Sequence, residues 1–355
     1  HGARAAGDDP FALEEVGARL AELPGEHAAK AALDLFRRAE RVVITTHVQP
    51  DGDGLGSEIA LAHWLAREGK TVHILNPHPA PRRFRFLEKD IPAPGFDAES
   101  AERLLGAADV LAVLDISVPA RLGGLEPWVR AFTGDVVVID HHLGQSGFDG
   151  VDCRDTSAAA TAELLHDLLS GWGAEITPEM ATALYAALAY DTGGFRYSNT
   201  TARTHPVAAD LIDGGADVHE INRRIYESVS PTRARLLSRV FGEFHLEGEG
   251  RLAWIALSGD LMEEAGAEAE DVEGVVETLR SLEHVELAIL FKEVDRGTTK
   301  VSFRSAGEVD VNRLAGRFGG GGHRNAAGAL IKQPLGAVVE EVLSAARESL
   351  VQQVG

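Results

Sequence analysis

Eight side chains in this 355-residue sequence have the types and spacing for divalent-metal chemistry: His47, Asp51, Asp53, Asp115, Asp140, His141, His142 and Asp191. Asp140-His141-His142 follows Val136-Val137-Val138-Ile139, a β-branched run that reads as a buried parallel strand. Asp115 closes Val110 to Leu114, and the turn from His47 to Gly54 follows Arg41 to Thr46. In open α/β sheets such carboxyl ends are where ligands bind. Carboxylates and imidazoles gathered in one crevice repel and desolvate badly unless cations neutralise them. Two divalent ions sharing a bridging carboxylate do that, and mixed oxygen and nitrogen ligation suits Mn²⁺, or Mg²⁺, better than a sulfur-rich zinc site. Ions about 3.5–4 Å apart activate a bridging hydroxide and stabilise both oxygens of an in-line phosphoryl displacement.

Each group also has a plainer reading. Asp51-Gly52-Asp53-Gly54 alone is a turn, Asp115 a helix N-cap, Asp191 a loop residue, and His141 and His142 hydrogen-bonded loop residues. All of these would have to hold at once at four edge-located places, which favours the metal reading.

The elements that must position these groups alternate. A helical pattern over 11–40 precedes the first strand, and helices are predicted over 55–67, 99–105, 156–170 and 179–189, with Thr177 and Pro178 opening the last. Thr71 to Leu75 reads as a further strand. The alternation predicts an α/β fold with a doubly wound, mostly parallel sheet. Residues 203–241 read as successive helices broken at Gly214-Gly215 and Ser230-Pro231. Strands over 252–257, 285–291 and 299–304, helices over 270–282 and 311–317, and an amphipathic helix over 335–350 then predict a smaller α/β domain. The expected organisation is an N-terminal extension and helix (1–33), a catalytic domain (34–213), a helical linker (214–243) and a second domain (244–355).

The net charge is 34 − 55 = −21 with histidine neutral, which argues against gripping long duplex nucleic acid through phosphate contacts. It leaves room for a short anionic substrate held by a few local cations. No apolar run approaches the ~20 residues that span a bilayer, and no charged-then-apolar leader opens the sequence. The single cysteine, Cys153, excludes an internal disulfide, so a cytoplasmic location without membrane association is expected. A homodimer is compatible with the sequence.

His47-x-x-Pro50-Asp51-x-Asp53, Asp115, Asp140-His141-His142 and Asp191 resemble the four motifs of the DHH phosphoesterase superfamily. Gly319-Gly320-Gly321-Gly322-His323-x-x-Ala326-Ala327-Gly328 is similar to the glycine-rich motif of its associated C-terminal domain. Within the superfamily the sequence resembles the bifunctional oligoribonuclease and pAp phosphatase (nanoRNase) group, helped by Thr192 to Thr201 and Ser302-Phe303-Arg304. The resemblance implies one metal on His47, Asp51 and Asp115 and a second on Asp53, Asp115, His141 and Asp191. It implies His142 facing the substrate phosphate with Asp140 orienting a histidine, and the smaller domain closing over the cleft. The implied substrates are short oligoribonucleotides cut to 5′-mononucleotides, with 3′-phosphoadenosine-5′-phosphate (pAp) as a second one.

The glycine run has its own physical reading, since backbone N–H groups without side chains approach a phosphate closely. Gly320, Gly321, Gly322, His323 and Arg304 are therefore the expected substrate-binding residues, against the plainer reading of a glycine hinge. Arg82, Arg83 and Arg85 read as a solvated basic loop. The rivals are a linear or cyclic dinucleotide phosphodiesterase and, from another class, a non-catalytic nucleotide sensor. A family II pyrophosphatase would lack the glycine-histidine signature, and a processive exonuclease would need further domains.

Overall fold

The computed structural model describes residues 25–306 and 309–351. The chain divides into two compact units, with the boundary between Ser228 and Val229. The expected helical pattern over 11–24 lies outside the described residues.

In the first unit the order is α1 (Glu26–Arg38), β1 (Arg41–Thr45), α2 (Gly52–Arg67), β2 (Thr71–Ile74), a 3₁₀ stretch (Arg82–Lys89), α3 (Ala98–Leu105) and β3 (Val110–Leu114). A second 3₁₀ stretch (Pro119–Leu125), α4 (Glu126–Arg130), β4 (Asp135–Asp140), β5 (Val151–Arg154), α5 (Thr161–Gly171), α6 (Pro178–Asp191), α7 (Thr204–Asp213) and α8 (Val218–Tyr226) follow. The five strands form a parallel sheet in the order β2-β1-β3-β4-β5. After β2 the chain crosses back past β1 to form β3, so the winding reverses between β1 and β3, the place where such sheets bind ligands.

Alternation along the strands separates two apolar layers. Val42, Ile44, Ala112, Leu114, Val137 and Ile139 join α1, α2, α5 and α6 on one face. Val43, Leu111, Val113 and Val138 join α3, α4 and the second 3₁₀ stretch on the other. Burial on both faces is why these strands are continuous β-branched and leucine runs. Phe36, Trp64 and Trp172 meet at ring centroids 5.0–6.0 Å apart, locking α1, α2 and the end of α5 together.

Several elements differ from the sequence expectation. The Asp51-Gly52-Asp53-Gly54 segment is not a free turn, because α2 already starts at Gly52 with Asp51 as its N-cap. Glycine is required there by the neighbouring helix: a Cβ on Gly52 would fall 2.6 Å from the Tyr190 side chain, and one on Gly56 would strike the Ala183 carbonyl. The helix expected from Thr156 starts only at Thr161, and β5 was not foreseen, being four residues of mixed polarity.

The second unit holds α9 (Pro231–Glu243), β6 (His245–Glu247), β7 (Leu252–Leu257), α10 (Gly259–Ala265), a 3₁₀ stretch (Ala269–Val272), α11 (Val275–Arg280) and β8 (Leu287–Asp295). It continues with β9 (Thr298–Ser305), α12 (Val311–Gly316), β10 (Gly321–His323), β11 (Ala326–Ile331) and α13 (Leu335–Val351). Its six-stranded sheet runs β10-β11-β9-β8-β7-β6 and is antiparallel except for β7 with β8. The helix expected over 270–282 is broken, since Gly274 takes φ +76° after an extended Glu273. The end of the glycine run is no hinge: Gly321–His323 is an edge strand paired with Ala326–Gly328. Cβ atoms on Gly320 and Gly322 would strike the carbonyls of Gly328 and Ala326, so close backbone approach demands glycine at both.

Candidate metal centre

Three neighbouring strands deliver the site. His47 lies just past β1, Asp115 just past β3, and Asp140 ends β4 with His141 and His142 behind it. Asp51 and Asp53 come from the first turn of α2, and Asp191 is the last residue of α6. Asp115 takes φ +60°, a left-handed conformation that Asp tolerates better than most residues. Such strain at a strand end is typical of positions fixed for function.

His47 Nδ1 bonds the Val48 carbonyl at 2.9 Å, which leaves its Nε2 facing Asp115 Oδ2 at 3.4 Å and Asp51 Oδ2 at 3.7 Å. His141 is arranged the same way. Its Nδ1 bonds the Ala158 carbonyl at 3.2 Å, and its Nε2 lies 3.8 Å from Asp53 Oδ2, 3.6 Å from Asp115 Oδ1 and 3.7 Å from Asp191 Oδ2. Different oxygens of Asp115 therefore face the two imidazoles. His47, Asp51 and Asp115 form one potential ligand group, and Asp53, His141 and Asp191 another. Asp115, His141 and His142 also approach closely enough to form a group.

These gaps of 3.4–3.8 Å are longer than ordinary hydrogen bonds, and they suit ligands around a common ion. Two donor atoms each about 2.1–2.2 Å from one cation are roughly 3.0–3.8 Å apart for angles of about 90–120° at the ion. The electrostatics agree. Burial would lower the pKa of His47, yet the facing carboxylates of Asp115 and Asp51 raise it to about 10. Burial, with Asp115, Asp191 and Asp51 nearby, holds Asp53 well above the carboxylate range. Burial lifts Asp191 to about 7, with Asp115 and Asp51 adding to it against His141. His47 Nε2 is buried with no hydrogen-bond partner among the described residues. A lone pair held there, beside carboxylates that resist joint ionisation, fits a pair of divalent cations.

Asp140 is fully buried, and both its oxygens are engaged outside the two ligand groups. Its Oδ1 accepts from His142 Nδ1 at 2.8 Å and from the His142 backbone N–H at 3.1 Å, while Oδ2 accepts from Arg154 at 2.5 Å. Burial would push Asp140 up, but His142 holds it below the usual carboxylate range. In return Asp140 raises His142 against the effect of burial.

Four positioning residues were not foreseen. Thr161 Oγ1 donates to Asp115 Oδ1 at 2.9 Å, and the N–H groups of Thr161 and Ala162 donate to Asp53 at 2.7 and 3.0 Å. Asp53 thus caps α5, whose own N-cap residue Ala160 offers no side-chain acceptor. Asn199 Nδ2 lies 3.3 Å from Asp191 Oδ2, and Arg154 of β5 braces Asp140.

Arg304 and the glycine strand belong to the second unit. Arg304 Nε donates to Glu277 Oε1 at 2.7 Å and its Nη1 to the Phe303 carbonyl at 3.0 Å. Asn312 Oδ1 accepts the Gly322 N–H at 2.9 Å, while Gly321 and Gly322 remain exposed. The His323 side chain lies outside the described residues. No helix among the described residues is long and apolar enough to cross a membrane.

Residues 41–188 match the DHH family, N-terminal domain, and residues 253–353 the DHHA1 domain. A bifunctional oligoribonuclease and PAP phosphatase NrnA of Thermus thermophilus is 35% identical over 315 residues, covering 88% of this chain and 90% of its own. The Bacillus subtilis protein of the same name is 27% identical, covering 82% and 90%. The crystal structure of an exopolyphosphatase-related protein from Bacteroides fragilis superposes with a TM-score of 0.86 at 28% identity, covering 93% and 97%.

Proposed function

The chain belongs to the DHH family of phosphoesterases, and from that membership we propose that it is a metal-dependent phosphodiesterase that hydrolyses short oligoribonucleotides to 5′-mononucleotides and removes the 3′-phosphate of pAp. The observation that carries this reading is the division of Asp115 between His47 and His141, with one oxygen toward each. His47 and Asp51 would hold one ion and Asp53, His141 and Asp191 the other, with Asp115 placed to serve both. Mn²⁺ is the preferred ion and Mg²⁺ the alternative, because the donors are carboxylates and imidazoles with no thiolate. Bound divalent ions supply Lewis acidity and a lowered pKa for the attacking water.

The chain's own groups do the rest. Asp51 Oδ1 is occupied by the N–H groups of Asp53 and Gly54 at 3.1 Å, which fixes Oδ2 toward His47. Asp140 pins Nδ1 of His142, so that Nε2 is the nitrogen that donates to the substrate phosphate and stabilises charge developing on it. Arg154 braces Asp140 through its other oxygen. In the second unit, Arg304, Gly320, Gly321, Gly322 and His323 are the residues assigned to nucleotide binding. The acidic surface disfavours long duplexes.

A substrate panel tests the reading: pAp, linear dinucleotides, oligomers of increasing length and cyclic dinucleotides, each with Mn²⁺. Fastest turnover on two- to four-residue oligomers, together with phosphate release from pAp, is the expected pattern. Turnover of cyclic dinucleotides alone would move the substrate class, and no turnover at all would leave a nucleotide sensor.

A further inference from the structure

Arg121 lies in the 3₁₀ stretch that follows β3. Its carbonyl accepts the N–H of Val48, the residue after His47, at 2.7 Å, and its own N–H donates to the Val118 carbonyl at 2.9 Å. The two loops are packed tightly, since a Cβ on Gly123 (φ +53°) would come 2.7 Å from Val48 Cγ1. The Arg121 side chain is half-buried and has no hydrogen-bond or ion-pair partner among the described residues. Other arginines of the same unit are differently placed: Arg154 is held by Asp140 and Asp152, and Arg203 by Asp155 and Asp167. The positive field of Arg121 reaches His47, Asp51 and His142, opposing protonation of each.

A half-buried guanidinium sacrifices hydration and ordinarily recovers it from a carboxylate. In a chain of net charge −21, with an aspartate cluster within its field, Arg121 pairs with none of them. The site is thus built with acceptors turned toward cations and with one fork of donors left for an anion. We propose that Arg121 is a substrate-binding residue whose guanidinium grips the non-bridging oxygens of the scissile phosphate on the side of His47 and His142. The assignment rests on the phosphodiesterase reading above and names the cation that this reading lacks in the first unit. A guanidinium matches two phosphate oxygens in a way that an ammonium does not.

The test compares wild type with Arg121→Gln and Arg121→Lys, as holoenzymes in Mn²⁺, on a dinucleotide with a 5′-terminal phosphate and one without. Arg121→Gln lowers kcat/KM by about 10- to 100-fold on both substrates, and Arg121→Lys recovers part of the loss. Metal content and melting temperature stay at wild-type values. Calorimetric titration gives a second readout: the glutamine variant binds 5′-AMP about tenfold more weakly and adenosine unchanged. A loss confined to the terminally phosphorylated dinucleotide would overturn the scissile-phosphate assignment, as would loss of metal, equal weakening toward AMP and adenosine, or unaltered kinetics. Failure of the wild-type enzyme on every dinucleotide would instead defeat the underlying phosphodiesterase reading.

Discussion

The hydroxyl of Thr161 donates to Oδ1 of Asp115 at 2.9 Å, from a buried position at the first turn of a helix more than forty residues further along the chain. The bond fixes the carboxylate that faces both imidazoles. Outer groups of this kind commonly change metal affinity or activity by about 10–100-fold. Thr161→Val should therefore weaken Mn²⁺ binding or lower kcat/KM within that range, and Thr161→Ser should retain both. Equal behaviour of the two variants in a Mn²⁺ titration would show that the hydroxyl does not position Asp115.

His142 is pinned through Nδ1 by a buried carboxylate and braced from behind by Arg154. His142→Ala should lower kcat by about 10²–10³-fold, the scale for losing a donor to developing charge. Its metal content should match wild type. Loss of one ion from this variant would transfer His142 from the substrate to the ligand set.

Glu58 gives a pH signature outside the ligands. It is fully buried, and Oε2 accepts from Asn76 Nδ2 at 2.8 Å. Burial lifts its pKa to about 8, against the smaller opposing effect of Asn76. The unfolded chain loses this proton near the ordinary glutamate value while the folded chain keeps it. The contribution is thus fully present below about pH 4.5 and is lost as pH rises toward 8. Glu58→Gln removes the dependence. In chelator-treated protein, its stability relative to wild type should increase by up to about 3 kcal/mol between pH 5.5 and pH 8 in urea titrations. Parallel stability curves for the two proteins would mean that Glu58 is ionised in the fold.

The central strands β1, β3 and β4 were legible because each is a short apolar run that gives way abruptly to Asp or His. Burial on both faces writes that pattern directly. What supports the edge was not legible. Thr161 sat inside an expected helix over 156–170, and the true start of α5 is set by Asp53, 108 residues away, which no local signal reveals. Arg154 lies on a four-residue strand whose mixed Val-Asp-Cys-Arg pattern carries neither period. The glycine run was visible as a motif, but its edge-strand geometry depends on the approach of β11.

The central claim is that Asp115 joins two ions in one catalytic centre. Mn²⁺ content measured on wild type and Asp115→Ala, beside dinucleotide turnover by the same preparations, tests it most directly. The account predicts two ions per chain and turnover for wild type, and fewer than two ions with no turnover for the variant. Two ions and undiminished turnover in Asp115→Ala would contradict it.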